Sequence, residues 1–276
     1  MIVAPVTRRP AVAGYYYPAE PEALRMAVDA LTPVHSSPSS TAYAIIAPHG
    51  SYQRSGAIAG AAFSQVAIPR RCIVLGPSHT GSWMPWSLMA AGAYRTPLGD
   101  VPIDEACAEA LRLRCPFFEV DAWAQRGEHA IEVLLPFLQR RGPADLTIVP
   151  IIIGSEDQEE LGRLAEALAQ VIRMSEERVL LVASSDLSHY ETQERAAAQD
   201  RLLIEAMCAL DAGQLTRTVQ DRSILMCGYG AVASVLSAAT ALGARRGRLT
   251  QYGTSVEAGG DPDSATGYAG LIVEYA

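Results

Sequence analysis

The chain alternates uninterrupted apolar runs with helical stretches, and that alternation limits its architecture more than any other feature. YAIIA (43–47), CIVLG (72–76), LTIVPIIIG (146–154) and VLLVASS (179–185) have no polar face. Strands of this kind must be buried on both sides, so they belong in a sheet covered by helices above and below. Helical segments fall around them, at roughly 20–31, 55–66, 105–113, 129–141, 157–173, 193–210 and 228–242. Asp104 stands as an N-cap before the third of these, and Leu161, Leu164, Leu168, Val171 and Ile172 stripe the fifth. Two closing strands, near 248–253 and 267–275, suit an antiparallel pair. The expected fold is α/β, a three-layer α/β/α arrangement with a mixed, mostly parallel central sheet. Pro33–Thr41, with its VHSSPSS core, is the linker-like stretch, but it comes too early to divide two domains. Residues 1–276 therefore read as a single domain.

In sheets of this kind ligands sit beyond the carboxyl ends of the strands. Three of the five histidines stand there: His49 after YAIIAP, His79 after CIVLGPS and His189 after VLLVASSDLS. Any one of them alone reads most simply as a loop residue bonding a nearby carbonyl. Three at one edge point instead to a metal site or a general-base cluster. Asp186 lies three residues before His189. A helical turn after the strand would bring the two together, so that the carboxylate orients the imidazole, whereas the plain alternative is a helix cap. Cys227 precedes a glycine-rich helix start, where a thiol tends toward thiolate. Glu128 reads as a dipole-stabilising helix-start glutamate, and His129 as the first residue of a helix, able to reach the crevice in a supporting role. His35, in the Ser/Pro stretch, reads as solvated.

Composition closes other routes. All 22 basic residues are arginine, and neither lysine nor asparagine occurs, which excludes Schiff-base lysines, P-loop lysines and Cys-His-Asn triads. A net charge of −8 disfavours nucleic acid and anionic membrane surfaces. No apolar run reaches the ~20 residues of a spanning helix, and the first residues lack the order of a signal peptide. Five irregularly spaced cysteines suit a reducing cytoplasm, so the expected location is cytoplasmic.

AVAGYYYP, AIIAPHGSY, CIVLGPSH, EHAIEVLLPFL, TIVPIIIG, LVASSDLSHY, MCGYGA and SATGYAGLIVEY follow one another in the order and spacing of the Memo-like family, whose microbial members are called AmmeMemoRadiSam system protein B. The resemblance runs from about residue 8 to the end. It implies a fold similar to the class III extradiol (LigB-type) dioxygenases, which bind non-haem iron(II) on two histidines and a carboxylate. It also implies that His49 and His79 are metal ligands, that Cys227 takes the place of the carboxylate, that His189 acts as acid/base, and that Asp186 contributes a carboxylate. The chain departs from the family pattern at Gly50-Ser51 and at Tyr229-Gly230, next to these residues.

Two imidazoles and a thiolate are a softer set than two imidazoles and a carboxylate. One metal ion per chain is expected, iron(II) or copper first and zinc next, with a position left open for a small-molecule or peptide ligand. Three functions follow as expectations: a dioxygenase-like metal redox enzyme, a zinc-type hydrolase on the same residues, or a non-catalytic module that binds metal or peptide. The family name adds a functional link to a radical-SAM protein and an AMMECR-type protein.

Overall fold

The apolar runs become neighbouring strands at the centre of one sheet. The structure, a computed structural model, describes residues 6–33, 40–80 and 85–275. His35 and the Ser/Pro core around it lie outside the described residues. The strands, in chain order, are β1 (Thr7–Arg8), β2 (Ala42–Ala47), β3 (Arg71–Pro77), β4 (Trp86–Leu88), β5 (Ala93–Thr96), β6 (Gly99–Pro102), β7 (Glu119–Val120), β8 (Thr147–Ile153), β9 (Val179–Ser184), β10 (Gly247–Thr254) and β11 (Gly267–Glu274). The helices are α1 (Pro21–Leu31), α2 (Tyr52–Phe63), α3 (Glu105–Arg114), α4 (Leu135–Arg141), α5 (Gln158–Met174), α6 (Gln193–Cys208), α7 (Ala212–Asp221) and α8 (Tyr229–Ala241).

Eight strands form the main sheet in the order β10-β11-β2-β9-β3-β8-β4-β7. Its middle, β2-β9-β3-β8, is parallel throughout. The closing pair β10-β11 is antiparallel, as is the junction of β11 with β2. Apart from Tyr43 in β2, Arg71 in β3 and Thr147 in β8, the central strands are buried along their whole length. That burial explains their lack of a polar face. Helices α1, α2 and α4 pack on one another in one layer, and α3, α5, α8 and α7 in the other, with α6 joining α7 to β10 and β11. The expected three-layer α/β/α fold with a mixed sheet is the fold observed.

Capping follows the sequence. Asp104 accepts a hydrogen bond from the Cys107 amide, and Asp157 accepts from those of Glu159 and Glu160, each satisfying orphan donors of a first turn. Two expectations change. The helix expected over 129–141 is a 3-10 turn at Glu132–Leu134 followed by α4, with Pro136 in the first helical turn, where its missing N–H costs nothing. A small second sheet, β1-β5-β6, and the helix α7 were not anticipated. Two of these three strands have too few apolar residues to show a period. No helix among the described residues is long and apolar enough to cross a membrane.

Candidate functional site

Strand β9 lies between β2 and β3, so the residues following β2 and β3 flank the end of β9. His49 follows β2 and is buried, while His79 follows β3 and is partly open to solvent. Their rings stand 5.0 Å apart, nearly perpendicular. A third ring, His129, lies 4.6 Å from His79 and 5.5 Å from His49. One ring nitrogen from each falls within 4.8 Å of the others. Two nitrogens on one ion are at most about 4.2 Å apart, so a small inward shift closes this cluster on a metal.

The hydrogen bonds around the rings decide which nitrogens are free. Ser184 Oγ, on the last residue of β9, donates to the Ala130 carbonyl at 2.6 Å, so it accepts from His49 Nδ1–H at 2.8 Å. His49 Nε2 is left with its lone pair. Glu128, fully buried, accepts from His79 Nδ1 at 2.9 Å and frees His79 Nε2 in the same way. It also accepts from the backbone amides of His79, His129 and Ala130. These are the carboxylate and hydroxyl contacts that fix tautomer and orientation in metal-binding imidazoles. The donor set fits a metal ion, and three imidazoles suit zinc, copper or iron.

Electrostatics favour the same use. Burial pulls His49 down to about 4, so its ring is neutral at physiological pH. Burial also lowers His129. Burial pulls His79 down as well, but the hydrogen bond and charge of Glu128 outweigh it and leave His79 raised. Glu128 is held down to about 2: burial pushes its carboxyl up, and the contacts with His79 and the backbone amides overcome that.

Cys227 Sγ stands 3.4 Å from His49 Nε2, at one edge of the cluster. It precedes Gly228, the N-cap of α8, and a Cβ on Gly228 would fall 2.3 Å from the Ser184 carbonyl oxygen. Glycine is what lets the loop bring the thiol this close to the end of β9. The helix start does not by itself lower this thiol. Burial, reinforced by the charge of Asp186, pushes this thiol well above its ordinary value. A neighbouring cation is needed to ionise it.

Asp186 and His189 do not pair. The chain stays non-helical after β9, and Asp186 Oδ1 accepts from the His49 amide at 2.8 Å. The next helix is capped by Thr192, so Asp186 is not a cap either. His189 is partly buried, outside the three-ring cluster. Its Nδ1 lies 2.9 Å from the Leu187 carbonyl and 2.8 Å from that of Leu225, so Nδ1 carries the proton and Nε2 is free to accept one. The structure thus brings His49, His79 and His129 together, sets Cys227 and Asp186 against His49, and leaves His189 beside the Cys227 loop. His129 and Glu128 are more central than the sequence suggested. The signal lies in EHAIEVLLPFL, where Glu128, His129 and Glu132 are the polar residues of an otherwise apolar run.

The fold and the site define a three-layer α/β protein with an imidazole cluster beyond its parallel strands. The chain belongs to the Memo-like protein family, which it matches over residues 8–272. It is 36% identical to a MEMO1 family protein of Methanopyrus kandleri, covering 96% of this chain and 98% of that one. It is 35% identical to a MEMO1 family protein of Aquifex aeolicus, covering 96% and 98%. Among solved structures it is similar in fold to an uncharacterised protein from Escherichia coli K12, with a TM-score of 0.52 and 17% identity over 83% of this chain and 98% of that one.

Proposed function

We propose that this protein binds one redox-active metal ion, iron(II) or copper, and carries out dioxygenase-like chemistry on a small organic ligand in the crevice beyond β2, β3 and β9. The observation that carries this reading is the set of three converging imidazoles, with Ser184 and Glu128 holding His49 and His79 in the tautomers a metal requires. His49 and His79 are ligands, Cys227 joins them as thiolate, and His129 closes the set. The metal, when bound, supplies Lewis acidity and electron transfer. His189, with Nδ1–H tied to two carbonyls, accepts or returns a proton at Nε2. Asp186 holds the His49 backbone and adds negative charge beside the rings.

Protein purified without oxygen, with iron and copper supplied, is expected to hold close to one equivalent of metal. Cys227→Ser is expected to bind it at least ~10-fold more weakly, since loss of a ligand exceeds the loss of an outer contact. Wild-type protein that stays free of metal overturns the proposal. Full zinc occupancy with oxygen-independent turnover replaces it with a hydrolase on the same residues.

Metal affinity is also expected to fall with acid. The raised value of His79 means that its Nε2 takes up a proton as pH drops through a point above the imidazole's ordinary 6.5. The protonated form cannot ligate, so binding weakens from there downward. Competition titrations against a chelator at several pH values measure this, and a flat profile between pH 8 and ~6 is the contrary result.

A further inference from the structure

A second cavity, of about 450 Å³, opens beside β1, walled by Arg8, Arg9, Pro10, Ala122, Trp123 and Arg126 among others. Its size is within the ~300–1,000 Å³ of small-molecule sites. The chain carries 30 acids against 22 arginines, yet three arginines and no acidic residue line this cavity. Arg8 is buried and spent on Glu132 and on the carbonyls of Gln125 and Glu128. Arg9 and Arg126 are exposed, and among the described residues neither guanidinium has a carboxylate partner or a side-chain hydrogen bond. The Arg126 guanidinium lies 5.1 Å from the centre of the Trp123 ring, which is itself 73% exposed.

This arrangement is built rather than loose. Trp123 and Arg126 hang from one turn, closed by the Arg126 amide on the Trp123 carbonyl at 3.0 Å. Gln125, between them and fully buried, clamps the turn to the core. Its Nε2 donates to the Ser87 and Pro150 carbonyls, its Oε1 accepts from Tyr94, and its carbonyl accepts from Arg8. A rigid turn therefore presents an exposed indole, with the Arg126 guanidinium over one face and unpaired with any carboxylate, beside a second such guanidinium on Arg9.

We propose that this cavity is a binding site for a planar aromatic anion, separate from the histidine cluster. The ring of the ligand stacks on Trp123, and its carboxylate or phosphate is taken by Arg9 and Arg126. Guanidinium groups match both anions bidentately, and the indole face adds stacking that is indifferent to ring identity. Arg8 and its partners form the wall behind the site, between it and Glu128, so the ligand binds whether or not metal is present.

Titration calorimetry of the full chain with adenosine 5′-monophosphate and with indole-3-acetate distinguishes a nucleotide from an aromatic carboxylate. Inorganic phosphate and adenosine serve as the half-ligand controls. Saturable binding is expected for at least one of the two, at least ~10-fold tighter than for either control, because ring and anion contribute together. Trp123→Ala and Arg126→Ala are each expected to weaken it ~10-fold, with metal content and melting temperature unchanged, since both side chains are exposed. No saturable binding of either compound, inorganic phosphate binding as tightly as they do, or binding indifferent to both substitutions overturns the proposal.

Discussion

Glu132→Ala is expected to destabilise the protein by about 3–5 kcal/mol and to lower its melting temperature by on the order of 10 °C. Glu132 is completely buried and closes four contacts from the N-terminal segment. It pairs with Arg8 and accepts from the amides of Ala11 and Val12 at 2.8 and 3.0 Å and from the Tyr17 hydroxyl at 2.5 Å. Deleting it leaves a guanidinium with no counter-charge in the interior, which costs more than the pair itself contributes to stability. Arg8 would keep only uncharged partners, the carbonyls of Gln125 and Glu128 and the face of the Tyr94 ring. Burial and the Glu132 charge raise the Tyr17 phenol above its ordinary 10.0, so that group stays a neutral donor and adds a lost bond to the cost. Glu132→Gln keeps an acceptor for the amides but not the charge, and should fall between the two. Thermal and urea unfolding measure the series. A loss under about 1 kcal/mol for the alanine variant would show that solvent or a rearranged carboxylate satisfies Arg8.

Glu132 also shows where sequence reading stops. Its partner Arg8 lies 124 residues away, and no local pattern announces a pairing at that distance. Read locally, Glu128 and Glu132 look like the acidic start of a helix, although one anchors the N-terminal segment and the other holds two histidine loops. By contrast, His49 and His79 were legible. The apolar runs before them specify buried strands, and the carboxyl ends of parallel strands in one sheet lie along a single edge whatever separates them in sequence. His189 satisfied the same rule yet stands apart from the rings. The pairing expected with Asp186 needed a helical turn. The backbone after β9 is instead captured by distant groups: Asp186 takes the His49 amide, the Leu187 amide goes to the Gly267 carbonyl, and the Ser188 amide goes to Asp200. Cys227 depends on a different balance. The helix-start effect favours thiolate but fades within a turn, and burial beside a carboxylate is the larger influence.

Glu128→Gln is expected to weaken metal binding by about 10–100-fold while leaving the fold intact. Both carboxylate oxygens act only as acceptors. Oε1 takes His79 Nδ1 at 2.9 Å with the amides of His129 and Ala130, and Oε2 takes the His79 amide. A glutamine must turn its NH2 toward one of these donor sets. Facing the His79 backbone, it opposes donor to donor and pushes the loop away from His49. Facing the ring, it forces Nδ1 to accept, moves the proton to Nε2 and removes the lone pair a metal needs. In either orientation the charge that keeps His79 basic is gone, so its value should drop below that of the wild type. The two consequences separate experimentally. Chelator competition reports the affinity, and the proton resonances of His79 titrate at lower pH in the variant without metal. Asp186→Asn makes the comparison sharper, because Asp186 touches the His49 amide and no ring nitrogen in the structure. If Asp186→Asn weakened metal binding as much as Glu128→Gln, simple loss of negative charge near the rings would account for both. A clear excess for Glu128→Gln assigns the effect to control of the His79 tautomer.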